Sequence, residues 1–241
     1  MGLIKDFYDV ASGLPPLKGW LTQIGLAEER KRGLMAFSPD LVKLPEETTR
    51  LIDYYKWNEE AATWDIGDGD IHGTSHKELV QTWSTPSIYL PYEAGLIRYV
   101  RRGGTVNRLM VVSGEFFDPA YQLLLIRTCL RQTLLGFEPY IAFPSDIGHA
   151  LGILQADCDM IGIVNNRIGY LIRMNPSPVM MRTTEKRVIG RAWEAHREMS
   201  RGAVPFETWL RGCPFASRRH EVIADVEAEC SLIHSYAENL R

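Results

Sequence analysis

Residues 101–174 alternate short apolar runs with one strongly helical segment, and glycine or proline marks each joint. An α/β core is the architecture that this alternation demands. The run 106–112 is rich in large and β-branched apolar residues and is entered through Gly103-Gly104, as a buried strand would be. Asp118-Pro119 follows, an N-cap and then proline at the first helical position. The helix is expected to reach about Leu135 and to be apolar on most sides, with Arg127, Arg131 and Gln132 as a narrow wet face. Gly136 stands where a left-handed C-cap is needed, and 137–143 is the next strand, with Pro139 near its start. Strand, helix and strand with short joints imply a right-handed crossover and a parallel pair. The runs 158–164 and 167–174 are separated by Asn165-Asn166, which tolerates the positive φ of a two-residue hairpin turn. The expected fold is therefore α/β, with a mixed sheet of about four to six strands, helices packed on it and helical segments at both ends.

Around this core the chain divides into 1–88, mainly helical, then 89–180, the α/β core, then 181–241, C-terminal helices. Pro45-Glu-Glu opens an expected helix to about Trp57, with Leu51, Ile52 and Tyr55 on one face. Residues 65–75 read as a loop by composition. Pro91 starts a helix to about Arg102. After the Asn175–Pro178 break, Thr184 caps a helix carrying Val188, Ile189, Ala192, Trp193 and His196 at helical spacing. The segment 205–213 is a connector or short helix. Ser217 opens the last helix. On it Val226, Ile233 and Leu240 recur every seven residues, with Ile223 and Cys230 offset by three. Two and a half heptads must pack on their own sheet or on a second copy, so a homodimer through Val226, Ile233 and Leu240 is one expectation.

Composition narrows the function classes. Hydrophobic residues are 45% and charged residues 24%, ordinary for a soluble globule. The net charge of −3 supplies no global field toward nucleic acid or an anionic membrane, and neither is expected as a partner. No run approaches the length of a membrane span and no signal-like apolar segment opens the chain, which makes a cytoplasmic home the expectation. Cys129, Cys158, Cys213 and Cys230 are far apart and lack C-x-x-C spacing. No cofactor is indicated. Asp68-Gly-Asp70-Ile-His72-Gly73 imitates the start of a calcium loop, but its twelfth position is Leu79, where a bidentate glutamate is required. His72 and His76 have i, i+4 spacing without a third ligand nearby, so no metal site is expected.

Ligands of open α/β sheets bind beyond the carboxyl ends of strands. That places a candidate ligand site at Ser113, Glu115, Phe143, Ser145 and Asp146, with Arg173 as an anion anchor. Asp118 is explained as a cap. Glu115, His149 and Asp159 are the residues an acid–base or nucleophilic mechanism would use. Arg218-Arg219-His220 opens the last helix, the unfavourable end for cations, and points to an acidic partner or a solvated turn.

The order helix, Arg-Arg-Gly-Gly-Thr-Val-Asn-Arg-Leu-Met-Val-Val, long helix, Gly-Phe-Glu-Pro-Tyr-Ile, then Asp-Met-Ile-Gly-Ile-Val-Asn-Asn-Arg-Ile-Gly-Tyr resembles one half of a phospholipase D-like fold over residues 89–174. In that family a later hairpin carries a histidine–lysine–aspartate motif. Here no His-x-Lys occurs, and His149 is followed by Ala150 and Leu151. The resemblance implies a relative of the non-catalytic members that sense ligands or act within regulators. The leading expectation is a non-catalytic cytoplasmic regulatory or ligand-sensing protein with a small-molecule ligand. A small hydrolase or transferase using Glu115, His149 or Asp159, and an interaction module acting through the last helix, are the alternatives.

Overall fold

The computed structural model describes residues 28, 44–45, 47–52, 71–76, 85–112, 119–143, 160–173 and 179–239. Eight strands form one mixed sheet: β1 (Thr49–Ile52), β2 (Ile71–His76), β3 (Val106–Val111), β4 (Glu138–Ala142), β5 (Met160–Val164), β6 (Ile168–Arg173), β7 (Val179–Thr183) and β8 (Val204–Pro205). Their order across the sheet is β1-β7-β6-β5-β2-β3-β4-β8. β2, β3 and β4 run parallel, and every other neighbouring pair is antiparallel. Five α-helices are present among the described residues: α1 (Pro86–Val100), α2 (Pro119–Leu134), α3 (Lys186–Arg201), α4 (Phe206–Gly212) and α5 (Arg219–Asn239).

The β3–α2–β4 unit forms as its residues dictate, with β3 and β4 paired in parallel. Gly136 takes φ +83°, its N–H donates to the Thr133 carbonyl, and the Phe137 N–H donates to the Gln132 carbonyl. This pair of bonds closes the helix as a Schellman motif. Asn165 and Asn166 take φ of 50° and 54° and turn β5 into β6.

Side chains alternate across the sheet and build two apolar layers. Val106 and Met110 of β3, Ile141 of β4 and Tyr170 of β6 join α1, α2 and α5 on one face. Leu109 and Val111 of β3, Ile161 of β5 and Met181 of β7 join Ile189, Ala192, Ala195 and Met199 of α3 on the other. Gly169 permits the close seating of α3. A Cβ there would lie 3.2 Å from Thr183 Cγ2 and 3.3 Å from Ile189 Cγ1.

Several expectations need correction. The sheet has eight strands rather than four to six. Residues 71–75, within the stretch 65–75 read as loop from its composition, belong to β2, which lies between β5 and β3. Both of its edges are hydrogen-bonded, so the ladder rather than the side chains makes the strand. Thr49–Ile52 pairs with β7 instead of continuing a helix from Pro45. The described part of 1–88 therefore supplies two strands to the sheet. α1 begins at Pro86 and carries Pro91 inside its first turns. Glu185, not Thr184, caps α3, its carboxylate accepting from the Arg187 N–H. A strand, β7, precedes that cap. Most of the segment 1–43 expected to be mainly helical lies outside the described residues.

The wet face assigned to α2 is also overturned. Arg131 and Gln132 are fully buried, and so is Glu93 of α1. Arg131 clasps Glu93 with two bonds, Nε to Oε2 at 2.7 Å and Nη2 to Oε1 at 3.1 Å. Its Nη1 reaches Glu229 Oε2 of α5 at 3.0 Å, and Gln132 Nε2 donates to Glu93 Oε1 at 3.3 Å. Arg127 completes the network on Glu229. The Arg131 guanidinium lies 3.9 Å from the centre of the Tyr89 ring, a cation–π contact in a dry site. Burial by itself would lower the Arg131 pKa, but Glu93 and Glu229 outweigh it and hold the side chain charged. Charge here ties three helices together.

That network and the apolar stripe of α5 also correct the dimer expectation. Val222, Val226, Cys230, Ile233 and Ala237 are buried within this chain's own core, against α1 and α2. A side chain already buried in its own fold offers nothing to a second copy. Leu240 lies outside the described residues. Among the described residues no helix is long and apolar enough to cross a membrane.

Candidate functional site

Of the residues singled out at the strand ends, Phe143 and Arg173 fall among the described residues. Ser113, Glu115, Ser145 and Asp146 lie outside them, as do His149 and Asp159. Phe143 follows β4, half-buried, and packs against the apolar layer of α1 and α2. Arg173 ends β6 at the same end of the strands, but β5, β2 and β3 stand between. Four strand spacings put the two residues roughly 19 Å apart, too far for one small ligand. The cations at the start of α5 are engaged within the chain. Arg218 bonds Glu221 and the Pro119 carbonyl, Arg219 pairs with Glu207, and His220 Nδ1 contacts the Ser217 carbonyl.

A cavity of about 320 Å³ opens instead on the other face of the sheet, between α3 and the β3–β4 pair. Its lining is Asn107, Arg108, Leu109, Tyr140, Trp193, His196, Arg197 and Ser200. Helical geometry explains half of that set, because positions 193, 196, 197 and 200 fall on one side of α3. Strand alternation explains the rest. Asn107 and Leu109 point toward α3, and Leu109 is in register with Tyr140. Arg108 points the opposite way, where it donates to the Tyr92 hydroxyl of α1, so it lends the cavity its main chain.

Among the described residues the lining is aromatic and polar, with Arg197 as its charged side chain. Trp193 and His196 are stacked, with ring centres 5.6 Å apart and planes 19° from parallel. His196 is almost wholly buried. Ser200 Oγ donates to the His196 carbonyl at 2.7 Å and lies 3.4 Å from His196 Nε2. The short bond to the backbone occupies the hydroxyl proton, so Ser200 is not presented to the imidazole as a nucleophile would be. Asn107 Nδ2 donates to Thr105 Oγ1 at 3.3 Å, and its carbonyl oxygen accepts no hydrogen bond among the described residues. Burial and a hydrogen bond to Glu138 raise the Tyr140 pKa. Arg197 is exposed at the rim and forms no ion pair or hydrogen bond with another side chain among the described residues. Among those residues no cluster of three or more His, Cys, Asp or Glu side chains is placed to hold a metal ion.

Sequence reasoning placed Trp193 and His196 on the apolar stripe of α3 and did not single out Asn107, Tyr140, Arg197 or Ser200. The available signal was the run of non-aliphatic residues at 193, 196, 197 and 200 on an otherwise aliphatic helix face.

No family model and no curated protein matches the chain. Eight chains of solved structures resemble it distantly, two of them as follows. TrmBL2, an archaeal chromatin protein with a novel mode of DNA binding, matches at a TM-score of 0.39 and 13% identity, over 83% of this chain and 67% of that one. NucT from Helicobacter pylori, a phospholipase D-family nuclease, matches at 0.38 and 9%, over 66% of this chain and 98% of that one. The second is a weak phospholipase D-like likeness, and neither carries an activity across. Their descriptions do overturn the expectation that nucleic acid is excluded as a partner. The physical error lay in using net charge, a sum over the chain, to exclude a local surface. α3 alone carries Lys186, Arg187, Arg191, Arg197 and Arg201 against Glu194 and Glu198.

Proposed function

We propose that the protein is a non-catalytic, regulatory ligand-sensing protein and that its small-molecule ligand occupies the cavity between α3 and β3–β4. The cavity is the observation that carries this reading. Its volume falls at the small end of the range of ligand sites, and its lining mixes aromatic surface with a few polar groups that fix orientation. The occupied Ser200 hydroxyl favours binding over acyl or phosphoryl transfer, and the missing His-x-Lys motif argues against phosphodiester chemistry by the route of the phospholipase D-like enzymes. A ligand here would bear on α3 and on the β3–β4 pair together, a direct route from occupancy to the position of a helix.

The test is mass spectrometry of molecules released on denaturing freshly purified protein, paired with thermal shifts against a metabolite library. The expected result is a small molecule that raises the melting temperature of the intact protein and fails to do so in Asn107→Leu and Trp193→Ala. Absence of any such molecule, or shifts equal in both variants and the parent, would refute the reading.

A further inference from the structure

We infer that the ligand is a planar aromatic or heteroaromatic ring bearing a single anionic group, an inference that rests on the cavity being the binding site. Three observations converge on it. Trp193 and His196 form an offset stack that presents flat π surface, and flat π surface favours a flat partner over a saturated ring. Arg197 stands at the rim without a carboxylate partner among the described residues, and the described residues that line the cavity include no aspartate or glutamate; Glu138, beside them, is hydrogen-bonded to Tyr140. A guanidinium meets a carboxylate or phosphate with two parallel bonds, whereas it gives an uncharged group much less. Asn107 sits on the β3 floor, and its carboxamide oxygen, without a partner among the described residues, suits a ring N–H or hydroxyl. The volume of about 320 Å³ takes one or two fused rings and leaves the anionic group at the open side, where Arg197 is.

The geometry also assigns separate tasks. The stack supplies ring affinity, and Arg197 supplies discrimination by charge. These separate in a matched probe series followed by calorimetry and ligand-observed NMR on the intact protein: benzoate against benzamide, indole-3-acetate against indole-3-acetamide, and benzoate against cyclohexanecarboxylate. Each anion is expected to bind roughly tenfold tighter than its amide, the worth of one charge-assisted contact. Benzoate should also outbind its saturated analogue. Arg197→Gln, an exposed change that leaves the fold intact, should erase the anion–amide difference while leaving amide binding unaltered. Trp193→Phe should keep the preference for flat rings.

Amides that bind as tightly as their anions, or a saturated ring that binds as well as a flat one, would overturn the assignment. If no probe binds while denaturation releases a neutral or non-planar molecule displaced by Asn107→Leu, the ligand class is wrong and the cavity reading stands. If no probe binds and nothing is released, both fall.

Discussion

Replacing Arg131 by methionine should be among the most damaging single changes available in this protein. Methionine keeps most of the aliphatic volume, so the cost is electrostatic. Arg131 and Glu93 are both fully buried, and two of the carboxylate's three bonds come from this guanidinium. Without it Glu93 retains only the 3.3 Å bond from Gln132, while Glu229 still has Arg127. Breaking a buried pair from one side typically costs about 3–5 kcal/mol. Loss of the contact with Tyr89 adds up to about 2 kcal/mol. A domain of this size is held by about 5–15 kcal/mol in all, so Arg131→Met should lower the urea midpoint steeply. The double variant Glu93→Met, Arg131→Met removes the stranded charge and should recover most of the loss. Urea unfolding followed by far-UV circular dichroism measures both. A single-variant loss below about 1 kcal/mol, or a double variant less stable than the single, would refute the claim that Glu93 depends on Arg131.

Three further outcomes follow from the packing. Gly136→Ala forces a side chain into φ +83° and sets its Cβ 2.9 Å from Val100 Cγ1, so it should cost at least about 1–2 kcal/mol in thermal unfolding; an unchanged melting temperature would contradict the cap geometry. Leu125→Ala should cost about 2–5 kcal/mol because Leu125 is fully buried, and visibly more than Leu124→Ala at its half-buried neighbour; equal effects would misplace the core face of α2. Burial pushes the Cys230 thiol up to about 11 and the Tyr99 hydroxyl up to about 12. Both groups are neutral when protonated and are raised on folding, so their contribution is whole below the unfolded values, near 9 and 10, and is lost as pH climbs through 11 and 12. Stability should therefore fall between pH 9 and 12, and a flat profile over that window would count against the burial of both groups.

Signals that act over a few residues were legible in the sequence. Pro119, Gly136 and Asn165-Asn166 each dictate a local backbone state, and the helix and the hairpin sit where those residues place them. What was illegible depended on partners distant in the chain. Arg131 reads as a solvent-facing cation until Glu93 and Glu229, 38 and 98 residues away, are brought to it. Ile-His-Gly-Thr-Ser-His lacks the alternation of a strand and becomes one through hydrogen bonds from β3 and β5. The stripe of α5 was visible, but not that α1 and α2 cover it. For the cavity, the sequence displayed the helical half of the wall and hid the strand half. The choice of which face of β3 meets α3 is made by the whole sheet.

The place of β2 has a kinetic consequence. Its residues leave the ribosome early, yet Ile71 pairs on one side with Val106 and on the other with Val164. β1 waits longer still, since Thr49 pairs with Thr183. A nascent chain therefore holds unpaired strand edges through most of its synthesis, and contacts of such long sequence range make folding slow. α5 adds a last requirement, because the apolar faces of α1 and α2 stay uncovered until it arrives. The protein should thus emerge as a late, nearly all-at-once folder. It should depend on chaperones to shield those edges during translation, and fragments ending before α5 should aggregate rather than accumulate as folded intermediates.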